Sequence, residues 1–394
     1  MLPKCKSEVV LHILLDASNL GATGPEILIK SLISKLGTYA SKDIITFLLP
    51  SNKMNENWEI PDNVQVKYIR RMRIREISRM WDINIGLSSI CKKSNADVYL
   101  TLGDIGPVTL PIPHIIYLHN AYLVYLEPEL VNILRPLEKI KLRYQRWHFS
   151  RSVKKAHAII VQTPVIANRL IKLYNVNKKN VHIIPPSLPS HMANLQNLKE
   201  GKGLPTIDSI PKLSFIFLAT YYAHKNHRIL LPLFKELRKR NLESKVHFFL
   251  TLDGDRRRDE KNLLKKLEFE NDMVTNLGRL KPKDVSLALH SADALFMPTL
   301  VETFGLIYLE ALAAGKPILT SDRDFAHYIC GDLALFYDPI DPVSIADAIE
   351  RFISEVSTFQ SRVHSNKWER INSVSWENER NTKSIIQVLA SAAK

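Results

Sequence analysis

Two glutamates, Glu302 and Glu310, bracket the stretch best equipped for chemistry, Ala294 to Thr320, which reads ALFMPTLVETFGLIYLEALAAGKPILT. An apolar strand is expected to end at Met297 and Pro298, and a loop to run through Glu302. A helix then extends from about Phe304 to Ala314, Gly315 stops it, and another strand begins at Pro317. A helix that opens at the carboxyl end of a parallel sheet presents unpaired amides and roughly half a positive charge, a ready seat for phosphate. Gly305 lets a ligand approach that backbone closely. Carboxylates are poor phosphate ligands but good acceptors for sugar hydroxyls, so amides flanked by carboxylates suit a nucleotide sugar. Taken one at a time, Glu302 also fits a residue that favours the helix dipole, and Glu310 a solvated helix position.

Three further places carry chemistry. In Ala219 to Asn226, ATYYAHKN, Lys225 stands just before a helix expected to begin near His227, where its charge adds to the helix dipole and strengthens a diphosphate site. In Ile115 to Ala121, IIYLHNA, a buried-looking strand ends in His119 and Asn120. Strand ends of parallel sheets face the functional crevice, and a histidine there can hydrogen-bond a sugar hydroxyl or shuttle a proton. The loop Ser18 to Pro25, SNLGATGP, offers Gly21, Thr23 and Gly24 ahead of a helix, but its spacing is not the GxGxxG of a dinucleotide site. A surface lysine, a structural histidine and a plain turn are the alternatives at these three places.

These residues need a scaffold, and the sequence supplies one twice: short apolar runs alternate with longer amphipathic segments, the pattern of a mostly parallel sheet with crossover helices. In the first half, strands are expected near 9–16, 44–49, 64–69, 98–102, 115–118, 158–162 and 181–184. Helices are expected over 26–36, with Pro25 at the first turn, and 164–173. Prolines, glycines and polar residues crowd between Pro185 and Pro211 without periodicity, which marks a linker. Strands recur near 213–219, 245–252, 273–277, 294–297, 317–319 and 334–337, and a last helical pattern runs from Trp376 to Leu389. The organisation expected is therefore an N-terminal Rossmann-like acceptor domain over 1–186, a linker over 187–212, a C-terminal Rossmann-like donor domain over 213–372 and a terminal helix over 373–394.

The segment holding Glu302, Phe304, Gly305, Leu306, Glu310, Ala311, Ala313, Gly315 and Pro317 resembles the E-x7-E motif of the retaining GT-B glycosyltransferases of group 1, also called family four. Further matches are LGRL at Leu277 to Leu280, SADALFMP at Ser291 to Pro298, YDP at Tyr337 to Pro339 and SWE at Ser375 to Glu377. The resemblance implies an α/β GT-B fold, two Rossmann-like domains facing a central cleft, with the C-terminal helix crossing back to the N-terminal domain. It also implies roles for residues. Glu310 binds the ribose, Glu302 lies by the donor sugar, and Thr303, Phe304, Gly305 and Leu306 hold sugar and diphosphate. Lys225 contacts the diphosphate, and backbone at Arg279 and Leu280 holds the base. His119 lies close to the transferred sugar, so His119, Glu302 and Lys225 are the catalytic candidates. Gly21, Thr23 and Gly24 line the acceptor side and reach toward phosphate. The chain departs from the family pattern at Ala219 and Thr220, which stand where Gly and Arg are usual, so Thr220 is expected to line the donor site there and Arg279 or another basic residue to compensate for the charge. Asp253 and Asp255 form an Asp-x-Asp pattern in a loop where the family has glycines, and no metal or cofactor is expected. The donor is a substrate. The activity implied is hexosyl transfer, with retention, to a hydroxyl of a glycan or lipid-linked acceptor in cell-surface polysaccharide or lipopolysaccharide synthesis.

Bulk properties bound the rest. A chain of 394 residues, 45% hydrophobic and 24% charged, fits two globular cores. Cys5, Cys91 and Cys330 form no CxxC pair, which suggests neither a disulfide framework nor a thiolate zinc site and points to a reducing cytoplasm. No apolar run reaches membrane-spanning length, and the run Val9 to Leu15 leads into Asp16 instead of a cleavage site. The formal charge of +14 makes the surface attract polyanions. Basic residues cluster at Arg70, Arg71, Arg73, Arg75 and Arg79, and again over Arg135 to Lys155, where eight Lys or Arg face one Glu. The second cluster interleaves Leu137, Ile140 and Trp147, the composition of a helix lying on an anionic membrane. Peripheral attachment to the inner face of the membrane is therefore expected. Nucleotide-sugar epimerase on the same fold and non-catalytic binding of nucleic acid are the competing classes. No recognisable nucleic-acid motif supports the latter.

Overall fold

The computed structural model describes residues 10–18, 23–51, 60–69, 86–189, 192, 204–209, 211–254, 257–270 and 272–394. Gly21 and the cluster Arg70 to Arg79 lie outside them, as does Asp255. The chain forms two compact units.

The first unit is built on seven strands: β1 (His12–Asp16), β2 (Ile44–Pro50), β3 (Val64–Ile69), β4 (Val98–Thr101), β5 (His114–Tyr117), β6 (Ala158–Val161) and β7 (Val181–Ile183). Their order is β3-β2-β1-β4-β5-β6-β7 and every pair is parallel. Continuous apolar runs such as Ile13 to Leu15 are fully buried, as a strand must be when helices cover both sheet faces. The helix Thr23–Tyr39 starts three residues before the expected Glu26, which leaves Pro25 inside its first turn. Thr163 caps the helix Pro164–Tyr174 by accepting from the Ile166 amide at 3.2 Å.

The terminal helix Asn378–Ala392 belongs to this first unit. Its Ile385, Val388 and Leu389 join Ile13, Leu15, Leu100 and Ile115 in one apolar core, and Asn381 Nδ2 donates to the Pro185 carbonyl at 2.6 Å. Conversely, Glu127 to Leu134 of the first half packs with the second unit, where Glu129 pairs with Arg323 at 3.2 Å.

The second unit holds β8 (Leu213–Phe217), β9 (Val246–Leu250), β10 (Val274–Asn276), β11 (Ala294–Met297), β12 (Ile318–Ser321) and β13 (Ala334–Tyr337) in the order β10-β9-β8-β11-β12-β13, again all parallel. Phe215, Phe248 and Phe296 pack as a ring cluster at 5.2 and 5.3 Å, closed over by Phe352 of the long helix Pro342–Val374. Part of the expected linker is ordered here: the short helix Pro205–Asp208 lies on the helix Pro282–Ser291, with Ile207 buried and the Leu204 amide bonded to Ser291 Oγ at 2.7 Å. Two Rossmann-like units with all-parallel sheets make this an α/β two-domain GT-B architecture.

Candidate active site

In the second sheet the strand order reverses between β8 and β11. From β8 the chain steps outward to β9 and β10, and from β11 the other way to β12 and β13. Loops leaving the carboxyl ends of such neighbours diverge and open a crevice, the general place for ligands in open α/β sheets. The expected residues gather there. Lys225, in the loop after β8, forms an ion pair with Glu302, in the loop after β11. Both side chains are largely buried.

The pair is held by a polar frame. Thr299 Oγ1 lies 3.1 Å from Glu302 Oε1 and 3.1 Å from the His224 carbonyl, and the Leu300 amide donates to that same carbonyl at 2.7 Å. Ser321 Oγ donates to the Thr299 carbonyl at 2.6 Å, and Asn226 Nδ2 to the Pro339 carbonyl at 2.7 Å. Loops after β8, β11, β12 and β13 are thereby fastened together. Lys225 ends a 3-10 turn, Ala223–Lys225, and a further helical turn opens at His227 as expected, first as 3-10 over His227–Ile229. Asn226 has left-handed backbone, which breaks the turn, and the α-helix starts only at Leu230.

The helix after Glu302 also starts later than Phe304. It spans Leu306–Ala313, with Gly305 at its N-cap in left-handed conformation, φ 82°. A Cβ on Gly305 would stand 2.8 Å from the Tyr308 ring, so only glycine makes this entry. Because the helix opens late, Glu310 lies just over one turn inside it, and it is buried. Its burial removes the alternative of a solvated helix residue. Thr303 and Phe304 are buried as well, and Leu306 is half-buried. Thr220 is half-buried in the loop after β8.

Arg279 and Leu280 lie in the loop after β10, where Arg279 is exposed. The residue that meets the Lys225 loop is instead Arg257, whose guanidinium lies 5.2 Å from the Tyr222 ring. Tyr222 in turn stacks on His224 at 5.7 Å. Burial, then the charges of Lys225 and Arg257, pull the His224 pKa down to about 3. His227, stacked on Phe217 at 4.2 Å, is likewise brought down to about 3, first by burial and then by Lys225. Both rings are therefore neutral, so they raise no charge against the lysine. The sequence reading missed Tyr222, His224, Thr299 and Arg257. The run Arg256 to Arg258, directly after the Asp-x-Asp pattern, is the signal in the sequence that could have pointed to Arg257.

In the first unit, His119 follows β5 by two residues. Asp104, in left-handed conformation in the loop after β4, accepts from the His119 and Asn120 amides at 2.5 and 2.8 Å and fixes the turn. Gln162 lies 3.1 Å from His119 Nδ1, and the ring leans on Tyr117 at 4.2 Å. Burial lowers the His119 pKa to about 4. With Gln162 assigned as donor to Nδ1, the neutral ring carries its proton on Nε2 and offers a hydrogen bond there. Thr23 and Gly24 fall in the first turn of the helix Thr23–Tyr39. At the end of β1, Asp16 accepts from the Ser18 amide at 2.8 Å and from Tyr99 OH at 2.6 Å. Asp253 donates its amide to buried Glu260 Oε1 at 3.0 Å, so this part of the Asp-x-Asp pattern is tied into the loop by its backbone.

Known proteins share the family and the fold of this chain. A family model described as "Glycosyl transferases group 1" matches residues 210–367, and one described as "Glycosyltransferase Family 4" matches residues 43–189. The chain is 28% identical over 199 residues to mannosylfructose-phosphate synthase of Agrobacterium fabrum, covering 46% of this chain and 42% of that protein. It is 22% identical over 228 residues to the O-antigen chain mannosyltransferase RfbU of Salmonella typhimurium, covering 55% of this chain and 59% of that protein. The aligned stretch thus spans about half the length of these curated relatives. Among solved structures, Anabaena HepE in complex with UDP-glucose superposes with a TM-score of 0.63 at 15% identity, over 97% of this chain and 100% of that one.

Proposed function

The chain belongs to the group 1 glycosyltransferases of the family-four type, and on that premise we propose that it moves a hexose-type sugar from a nucleoside diphosphate to a hydroxyl of a glycan or lipid-linked acceptor, with retained anomeric configuration. The observation that carries the donor assignment is the joining of Lys225 and Glu302 at the switch point of the second sheet, beside the Gly305 entry to the helix Leu306–Ala313. A nucleoside diphosphate brings two or more negative charges. Lys225 alone is already balanced by Glu302, so a second cation is required, and Arg257, in the loop after β9, stands against Tyr222 of the Lys225 loop. The amides of Phe304, Gly305 and Leu306 take the remaining phosphate oxygens, and Glu310 accepts from ribose hydroxyls.

No enzymic nucleophile is needed in this reading. The leaving diphosphate departs toward Lys225, Arg257 and the helix amides, and the acceptor hydroxyl attacks from the same face while passing its proton to the departing phosphate oxygen. Stabilising the charge that develops on that oxygen is then the main contribution of the protein. His119 contributes a hydrogen bond from Nε2 to a sugar hydroxyl, not a mobile proton, because its lowered pKa keeps it neutral. Support for the nucleotide comes from the UDP-glucose complex of the Anabaena neighbour, and for a cell-surface glycan from the O-antigen relative. We place no resident metal in the site, so chelation with EDTA leaves turnover unchanged.

A thermal-shift screen with UDP-, GDP- and ADP-sugars tests the proposal. One base class is expected to raise the melting temperature by several degrees, since ligand at ~100 times its Kd adds about 2.7 kcal/mol. NMR of the product should then show the donor's anomeric configuration. No shift with any sugar nucleotide would remove the donor assignment, and an inverted product would remove the same-face step.

A further inference from the structure

The helix Pro136–Lys155 in the first unit carries large apolar side chains that stay exposed on one face. Its inward side is well anchored. Leu142, Phe149 and Val153 are buried, Phe149 packs edge-on against Tyr174 at 5.1 Å, and Ser152 Oγ donates to the Pro107 carbonyl at 3.0 Å. Arg146 donates to the Tyr122 and Tyr125 carbonyls at 2.9 and 2.6 Å. The outward side runs through Leu137, Ile140, Tyr144, Trp147, Arg151 and Lys154 at alternating three- and four-residue steps, which places them along one stripe. Leu137 is 80% exposed, Ile140 61% and Trp147 50%, an arrangement that costs hydration free energy unless something apolar receives them.

Charge decides what receives them. Lys141 and Arg143 flank the apolar positions, and Arg151, whose guanidinium lies 3.9 Å over the Trp147 ring, leads into Lys154 and Lys155. All five are exposed, and Glu138 near the start of the helix is the sole acid over Arg135 to Lys155. A second copy of this chain would set like charge against like charge along the same stripe. Nucleic acid would answer the charge but leave Leu137 and Ile140 in water. A bilayer with anionic headgroups answers both, since acyl chains take Leu137 and Ile140, the indole settles at the interface, and the lysines and arginines meet phosphate. No helix among the described residues is long and apolar enough to cross a membrane, so the contact lies in the interface plane.

We infer that the stripe Leu137, Ile140, Trp147, Arg151 and Lys154 docks the chain on an anionic lipid surface. This inference is independent of the donor site: either can fail while the other stands.

The test is co-sedimentation of the full chain with vesicles of phosphatidylcholine alone or mixed with phosphatidylglycerol. At least tenfold stronger partitioning to the anionic vesicles is expected, falling as salt is raised because the basic residues are screened. Leu137→Glu with Ile140→Glu should lower partitioning at least tenfold with an unchanged melting temperature, both positions being exposed. Should that variant fold poorly, Arg151→Glu with Lys154→Glu is expected to lose the preference for anionic lipid. Equal partitioning to both vesicles, none to either, variants that bind as wild type does, or a dimer in sedimentation velocity that Leu137→Glu dissolves would each overturn the inference.

Discussion

At the scale of single residues, the site depends on a few groups whose positions leave little freedom. Gly305 holds φ at 82° and a Cβ there would stand 2.8 Å from the Tyr308 ring. Gly305→Ala is therefore expected to cost about 1–3 kcal/mol in chemical denaturation and to misplace the first helical amides. A variant as stable as wild type would show that the backbone relaxes without strain. Arg257→Ala should weaken binding of a nucleoside diphosphate about tenfold in calorimetry while leaving the nucleoside alone unaffected, since only the phosphates meet the guanidinium. Equal loss for both ligands would move Arg257 out of the diphosphate site. Lys225 and Glu302, which the structure joins, stood out in the sequence because each lies in a loop just past an apolar strand pattern, and Glu302 also through its E-x7-E spacing to Glu310. Arg257 did not, because its approach to Tyr222 depends on the β8 and β9 loops lying side by side, which periodicity does not encode.

At the scale of elements, the strands were readable because parallel strands buried on both faces are written as continuous apolar runs, and β11 and β13 match the expected bounds residue for residue, as does the edge strand β3 through its alternation VQVKYI. Helix starts were less legible. Left-handed Gly305 delays the helix expected from about Phe304 until Leu306, and a glycine does not declare its backbone sign in sequence. The Glu127 to Leu134 segment was assigned with its sequence neighbours, whereas its ion pair with Arg323 is a long-range choice that no local pattern reveals. The terminal helix Asn378–Ala392 is different, since it buries Leu389 completely in the core of the first unit. Leu389→Ala should destabilise the protein by about 2–5 kcal/mol in urea denaturation, through lost transfer free energy and the cavity left behind. A cost below about 1 kcal/mol would mean that the helix contributes little to that core.

At the scale of the whole molecule, buried neutral histidines set an acid limit. His119 has its pKa lowered to about 4 by burial, and His224 and His227 to about 3 by burial and then the Lys225 charge. In the unfolded chain each binds a proton near pH 6.5, so between that pH and about 4 the unfolded state holds more protons and stability falls as pH falls. The loss is about 1.4 kcal/mol per pH unit for each such ring at most. Melting temperature should drop steadily from pH 6.5 toward 4, and a flat profile would show these rings protonating freely in the folded protein. Function at this scale reduces to one claim: the carboxyl end of the second sheet is a seat for a nucleoside diphosphate. Titration calorimetry of wild type, Lys225→Ala and Glu310→Ala with UDP, GDP and ADP tests it most directly. One of the three nucleotides is expected to bind wild type, with affinity at least tenfold lower in both variants. Failure of all three to bind, or binding that both substitutions leave unchanged, would contradict it.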